Sequence, residues 1–129
     1  MSRYKTIATK ITDEAHLCAA LDELGLPYEQ GEALRMAYNR ETPQIVIRKQ
    51  HVGTRYDDMG FAREANGTYR VLYSDHDAID REKSEQWVQR ITQTYGKHKA
   101  VALARAKGLT VVSEKNENGV VRLKLRGYR

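Results

Sequence analysis

The chain has 129 residues, of which 40% are hydrophobic and 30% charged, with 2 Pro and 1 Cys. This composition predicts one globular domain over residues 1–129 and argues against a disordered chain, a disulfide-stapled fold and a Cys-rich metal site. No apolar run approaches the roughly 20 residues of a membrane span, and the first residues lead into no signal-like apolar segment, so we expect a cytoplasmic protein without a membrane partner.

The formal net charge of +5 is unevenly distributed along the chain. Residues 97–129 hold 9 Lys and Arg against 2 Asp and Glu, a net of +7, whereas residues 1–64 hold 9 against 10, a net of −1. A basic segment of this kind is typical of contact with an anionic partner. It also occurs on ordinary solvated surfaces, so charge alone does not choose between the two.

The first elements are a strand and a short helix. Residues 4–11 contain Thr and Ile in a weak alternation that favours a strand. Thr12 or Asp13 can cap a helix that follows, and Gly25 with Pro27 ends it. The apolar positions of this helix recur at the spacing of one buried face and are Leu17, Ala20, Leu21 and Leu24.

The middle of the chain predicts further strands. Residues 28–42 are polar, and their sequence is compatible with either a short strand or a loop. The three β-branched residues within 44–48 favour a strand inside a sheet. Residues 58–63 and 68–73 predict a hairpin, because the intervening Asn-Gly pair tolerates positive φ at both positions.

The last third predicts a long helix and a second hairpin. Residues 80–107 lack Pro and carry apolar residues at helical spacing, Gly96 in their middle marks a bend or a close packing point, and Gly108 ends the helix. Residues 109–113 and 120–125 then predict two strands around a polar turn. Hydrophobic and basic side chains alternate in the last strand and so point to opposite faces. The whole order predicts an α+β fold, a two-layer sandwich with a mostly antiparallel sheet and two helices packed on one face.

Three segments resemble one known family. The opening reads M-S-x-Y-K-T-I-A-T-K-I-T-D-E-A-H-L-C-A-A-L-D-E-L-G, residues 58–61 resemble a D-I-G-F strand, and residues 94–99 resemble a Y-A-Y-H-K helix segment. These pieces are similar to the proteins first named as a hypothetical chloroplast reading frame, number thirty-five, also called domain of unknown function 1257. The resemblance implies a fold and a cytoplasmic setting, stromal in plastid relatives, and it implies no reaction.

The chain departs from that family at aromatic positions. Asp57 stands where a Tyr usually precedes the D-I-G-F strand, and Lys97 replaces the second Tyr of the helix segment. The C-terminal Trp of the family is absent, and Gly127-Tyr128-Arg129 stands in its place. These departures remove aromatic surface and add positive charge.

The basic C-terminal strand is the best candidate binding site. Arg122, Lys124 and Arg126 form a cationic row on alternate positions. The preceding helix adds Lys97, Lys99, Arg105 and Lys107. If strand and helix adjoin, phosphates could bridge them, with Tyr128 or Tyr69 stacking a base. Basic residues on an edge strand also prevent aggregation through that edge. Alternatively, the same row could bind an acidic protein.

The histidines and the cysteine are weaker candidates for chemistry. Asp75-His76-Asp77 could contribute to a metal site, but the same residues are typical of a loop that begins a helix. His98 lies on the apolar stripe of the long helix, either as a partly buried side chain or as a functional one. Cys18 has no evident base nearby and is expected to be inert. We therefore expect neither a cofactor nor a resident metal.

These observations favour a non-catalytic accessory protein that binds a macromolecular partner, most simply another protein. The first alternative is a nucleic-acid-binding domain that uses the basic strand and helix. The second is a metal-dependent enzyme around His76 or His98. Self-association through a sheet edge is compatible with either binding hypothesis.

Overall fold

The computed structural model describes residues 4–31, 34–36, 42–118 and 120–127. Its helices and strands, in chain order, are β1 (Tyr4–Ala8), α1 (Glu14–Glu23), β2 (Glu29–Gln30), β3 (Ile45–Ile47), α2 (Lys49–Val52), β4 (Met59–Arg63), β5 (Tyr69–Ser74), α3 (Ala78–Ala106), β6 (Leu109–Glu117) and β7 (Val120–Gly127). Tyr128 and the undecided residues 32–33 and 37–41 lie outside the described residues.

Seven strands of the described residues form two antiparallel sheets. The first contains five strands in the order β1-β5-β4-β3-β2, and the second contains only β6 and β7. The α+β class and the antiparallel pairing predicted from the sequence are confirmed. The arrangement differs from a single sheet, because the C-terminal hairpin pairs with itself and not with the five-stranded sheet.

Helix α1 begins and ends at the residues that its sequence predicts. The Asp13 carboxylate accepts a hydrogen bond of 3.2 Å from the His16 backbone N–H, which satisfies one of the free donors at the helix start. Gly25 follows the helix with φ of +70°, a conformation that residues with a Cβ rarely adopt. Leu17 and Leu21 are fully buried and attach the helix to the sheet.

The hairpin of β4 and β5 is confirmed, but its turn is not the two-residue turn expected from Asn-Gly. Gly67 has φ of +89°, whereas Asn66 stays at negative φ. The Asn66 carboxamide oxygen instead accepts hydrogen bonds from the Thr68 backbone N–H and hydroxyl. The Glu64 N–H donates to the Thr68 carbonyl and closes the loop at 2.7 Å. A longer turn with one left-handed glycine thus joins the strands.

Helix α3 reaches from the five-stranded sheet to the C-terminal hairpin. Asp77 caps it by accepting from the Asp80 N–H at 2.8 Å, and its 29 residues extend about 43 Å at 1.5 Å per residue. Ile91 and Tyr95, in its middle, are buried with α1 against the sheet. The Tyr95 hydroxyl accepts from the backbone N–H of Thr12 at 3.1 Å and thereby holds the start of α1. Two helices on one sheet face, as predicted, are confirmed.

The helix-facing side of the sheet contains most of the core. Its fully buried side chains include Ile45, Ile47, Met59, Phe61, Tyr69, Val71 and Tyr73. Tyr69 therefore has no surface on which a base could stack, and its proposed stacking role is wrong. The alternation of β5 points Tyr69 inward, where its hydroxyl donates to Glu14 at 3.0 Å and accepts from Arg63 at 2.6 Å.

Leu34 and Met36, described residues that follow β2, pack against the opposite side of the sheet. Met36 is buried against Val46, Ala62 and Leu72. A Cβ on Gly60 would lie 2.5 Å from the Met36 sulfur and 2.9 Å from the Pro43 ring. The glycine of the D-M-G-F strand therefore permits this close approach.

Candidate functional site

The C-terminal hairpin presents two chemically different faces. Leu123 of β7 lies opposite Glu114 of β6, and the Glu114 carboxylate reaches Lys97 of α3 at 3.1 Å. Leu123 and Val121 also line a cavity together with residues of α3. The face that contains these residues, here called the inner face, is therefore turned toward α3, and the other face is here called the outer face.

The outer face carries four basic residues. Arg122 pairs with Lys115 across the hairpin, Lys124 with Ser113, and Arg126 with Thr110. Residues directly opposite in an antiparallel pair lie on the same face. Arg122, Lys124 and Arg126 are thus joined by Lys115, which the sequence did not single out. All four side chains are exposed.

An irregularity in β6 brings these residues into line. The register shifts between Val111 and Ser113, so that Val112 is an extra residue in its strand. A bulge of this kind moves the side chains after it to the other face. Without the shift, Lys115 would lie on the inner face, because it is four residues from the inward Val111 and would share its alternation.

Carboxylates close to the hairpin are directed to the inner face. Lys97 is the cation that they neutralise, since it forms ion pairs with Glu23 of α1 and Glu114 of β6. Partial burial disfavours the ammonium, but the two carboxylates outweigh this and raise the pKa of Lys97. The hydrogen bond from Lys97 lowers the pKa of Glu23. Lys97 therefore ties α1, α3 and β6 together beneath the hairpin.

The outer-face cations have no such partners. Among the described residues, Lys115, Arg122, Lys124 and Arg126 make no ion pair with a carboxylate, and the ion pairs of this region belong to Lys97 and His98. Glu117, two residues from Lys115 near the hairpin tip, is the one acid that shares the outer face by alternation. The face thus holds four cations and one carboxylate.

The cations of α3 do not extend this row as one face. Successive helical residues are rotated by about 100°, which places Lys99 about 200° from Lys97 around the axis. Arg105 lines a separate shallow cavity beside Leu109 and Val111 of β6. Lys107 caps the C-terminal end of the helix. The structure therefore brings the strand cations together and distributes the helix cations around α3.

His98 and His76 both contact other side chains of the fold. The His98 imidazole lies 3.2 Å from the Glu23 carboxylate and is less than one-third exposed, which matches the partly buried alternative. The ring of His76 packs against the Tyr56 ring with 4.2 Å between centroids. Its neighbour Asp75 pairs with Arg81, and Asp77 caps α3 and pairs with Arg55. No group of three His, Cys, Asp or Glu in the described residues is arranged to hold a metal ion.

A buried polar network near His76 was missed in the sequence. The Ser74 hydroxyl lies 2.9 Å from the Asp57 carboxylate and 3.3 Å from that of Asp80, and all three residues are buried. Asp80 also accepts from the Arg55 backbone N–H. These bonds connect the loop before β4 with the start of α3. Asp57, which stands out in the sequence only for its difference from the family pattern, is thus a member of this network.

A groove lies between β7 and α3. Its volume is about 340 Å³, and it is lined by Gln93, Gly96, Lys97 and Ala100 of the helix and by Val120, Val121 and Leu123. A Cβ on Gly96 would meet no atom of the described residues within 4 Å. Gly96 therefore marks an open space, and the close packing point that it suggested is absent.

Comparison with known proteins gives a family and no closer relative. A family model described as "Protein of unknown function (DUF1257)" matches residues 20–124, well over half of the chain. No curated protein and no solved structure matches. Among the described residues, no helix combines the length and the apolar character that crossing a membrane requires.

Proposed function

This chain belongs to the DUF1257 family, and we propose that it is a non-catalytic accessory protein that binds an acidic surface of a protein partner through the outer face of its C-terminal hairpin. One observation carries the proposal. Lys115, Arg122, Lys124 and Arg126 share that face, are exposed, and make no ion pair with carboxylates of the described residues. Clustered cations of this kind attract an acidic partner and set its orientation.

The arrangement of charge supports binding over simple solubility. A folded protein lowers its energy by pairing opposite charges and by separating like ones, and Lys97 shows that acidic residues are available for pairing in this region. The outer face instead places Arg122 directly against Lys115. Like charges directly opposite in a sheet are destabilising. An acidic ligand would remove that repulsion on binding.

Nucleic acid is the competing ligand for the same face. Proteins that bind single strands combine cations with aromatic side chains on which bases stack. Residues 97–127 contain no Tyr, Trp or Phe, Tyr128 lies outside the described residues, and Tyr69 is buried. The hairpin also exposes aliphatic side chains, namely Val112 and Val120 near its cations and Leu125 on the inner face. Aliphatic and basic side chains together suit a protein surface better than a phosphate backbone.

The surroundings of His76 and His98 do not favour catalysis as the primary function. Asp75 and Asp77 already pair with arginines, and the ring of His76 packs at a tilt against the ring of Tyr56. Enzymatic activity around His76 or His98 stays the second alternative. We further propose a cytoplasmic setting and kinship with the plastid and cyanobacterial proteins that the sequence resembles, which extends beyond the family match itself.

Two charge-matched triple variants test the proposal. Arg122→Ala, Lys124→Ala and Arg126→Ala remove three cations from the outer face, whereas Lys99→Ala, Arg105→Ala and Lys107→Ala remove three from α3. Binding of each variant to polyglutamate, to duplex DNA and to single-stranded RNA is measured over a series of salt concentrations. We expect the strand variant to lose polyglutamate binding and the helix variant to retain most of it.

The other outcomes separate the alternatives. Equal losses in both variants would show a diffuse effect of net charge and contradict a specific face. Strong binding of DNA or RNA with a steep linear dependence of log affinity on log salt, lost in the strand variant, with no polyglutamate binding, would replace the protein partner by nucleic acid.

A further inference from the structure

One edge of β7 is open. Within the described residues β7 pairs only with β6, so the backbone donors and acceptors along its other edge meet no strand. The alternation along β7 places Arg122, Lys124 and Arg126 on the outer face and Val121 and Leu123 on the inner face. A strand added at this edge would therefore meet two rows of opposite character.

The groove between β7 and α3 continues beside this edge. Its helix wall consists of Gly96 and Ala100 with Gln93 and Lys97, and its strand wall of Val120, Val121 and Leu123. Because Gly96 has no Cβ and Ala100 only a methyl group, the wall leaves room for the inward side chains of a further strand. Three features thus run along β7: unpaired backbone hydrogen-bonding groups at its edge, an apolar groove on its inner face and a row of cations on its outer face.

We propose that an extended acidic segment of the partner adds to the open edge of β7 as a third strand. Its acidic side chains, at alternate positions, lie beside Arg122, Lys124 and Arg126, and the apolar side chains between them enter the groove over Gly96. Strand addition gains affinity from main-chain hydrogen bonds and specificity from pockets for alternate side chains. This inference rests on the proposed function and names the conformation and sequence pattern of the ligand.

The open edge of β6 is a poorer site. Its extra residue Val112 interrupts the regular pairing geometry of that strand, and bulges are a common device that prevents edge pairing. Glu114 and Glu117 also lie on β6, where they would oppose an acidic segment. β7 combines regular pairing with three of the four outer-face cations, Arg122, Lys124 and Arg126.

A second copy of the chain fits β7 less well than an acidic segment does. Pairing of two β7 edges would place a row of three cations beside an identical row. Like charges in such positions are destabilising. Charge complementarity therefore selects a ligand with carboxylates at alternate positions.

The test compares two labelled peptides of identical composition and about ten residues, a common strand length. One alternates Glu and Val, and the other carries the same residues as a Glu block followed by a Val block. Fluorescence anisotropy gives their affinities for the wild type and for Gly96→Leu, which fills the groove with a side chain that a helix accommodates. Gly96→Ala is the matched control, because its methyl group leaves most of the groove open. Circular dichroism and thermal unfolding verify that each variant is folded.

We expect the wild type to bind the alternating peptide about tenfold more tightly than the block peptide, a difference of about 1.4 kcal/mol. Gly96→Leu should remove this preference, and Gly96→Ala should retain it.

Equal affinities for the two peptides, or an unchanged preference in Gly96→Leu, would overturn strand addition. In that case, charge-dependent binding of both peptides would still support the proposed function. If neither peptide binds, or if replacing Arg122, Lys124 and Arg126 with Ala changes nothing, the proposed function itself fails. A dimer that Gly96→Leu dissociates would identify a second copy as the occupant and overturn the proposal.

Discussion

Arg122 lies directly opposite Lys115 across the C-terminal hairpin, and the described residues place no carboxylate in an ion pair with either side chain. The bulge at Val112 creates this alignment by turning Lys115 to the outer face. The nearest acid of β6, Glu114, points inward and pairs with Lys97. The hairpin therefore separates its charges: the ion pairs of Lys97 lie on the inner face, and four cations with one acid, Glu117, lie on the outer face.

Replacement of Lys115 with Gln should stabilise the protein slightly and weaken binding of acidic ligands. Removing a like charge from a directly opposed pair gains about 0.3 kcal/mol, and salt should reduce this gain because the pair is exposed. Urea denaturation at low and high salt measures the effect. A variant that is less stable than the wild type at low salt would show that Lys115 makes a favourable contact instead of opposing Arg122.

Gly60→Ala should destabilise the protein by about 1–3 kcal/mol, the usual cost of overpacking. The added methyl group would lie 2.5 Å from the Met36 sulfur and 2.9 Å from the Pro43 ring, and the ring cannot rotate away. Gly96→Ala is a control with the opposite sign, since it removes a glycine from a helix interior and should gain about 1 kcal/mol. Chemical denaturation measures the free energy of unfolding of both variants. Unchanged stability of Gly60→Ala would mean that Met36 does not cover the sheet.

Lys97→Met should destabilise the protein more at pH 7 than at pH 3. Because Lys97 holds the pKa of Glu23 below its usual value of 4.5, the carboxylate contributes stability above that value and loses it as the pH falls through the lower folded pKa. At pH 3 protonation weakens the ion pairs in the wild type as well, so the two proteins should approach each other. Thermal unfolding across this pH range is the measurement. A difference that stays constant with pH would indicate lost packing and not a lost ion pair.

Cys18 should react slowly with iodoacetamide at neutral pH. Burial is the main cause that raises the pKa of its thiol above 9, and Glu14 and Asp22 add to it. The thiolate fraction is therefore smaller than for an exposed cysteine, and the rate should continue to rise above pH 9. Alkylation followed by mass spectrometry gives the profile, with glutathione as reference. A rate that reaches its plateau near pH 7 would instead identify an activated thiol.

Helices α1 and α3 and the first hairpin could be predicted because their signals are local, whereas the short helix α2 was not predicted. Asp13 and Gly25 each lie within two residues of an end of α1, and Gly67 lies in the loop that joins β4 and β5. The independence of the C-terminal hairpin could not be predicted, because a hairpin has the same alternation whether or not it joins a larger sheet.

The candidate site was predictable only along β7. Alternation in a strand shows directly that Arg122, Lys124 and Arg126 share a face. The recruitment of Lys115 depends on a register shift in β6, and the neutralisation of Lys97 depends on Glu23, which is 74 residues away in the chain. Neither relationship has a local signature. The regular alternation of β5 could have shown that Tyr69 is buried, since Tyr69, Val71 and Tyr73 all point to the same side.

The most direct test of the account is a backbone amide NMR titration of the full chain with polyglutamate. We expect the largest chemical-shift changes at residues 122–126 of β7 and at Lys115, with smaller changes in the five-stranded sheet. Largest changes around Lys99 and Lys107 of α3, or changes spread evenly over all exposed cations, would contradict a binding surface on the outer face of the hairpin.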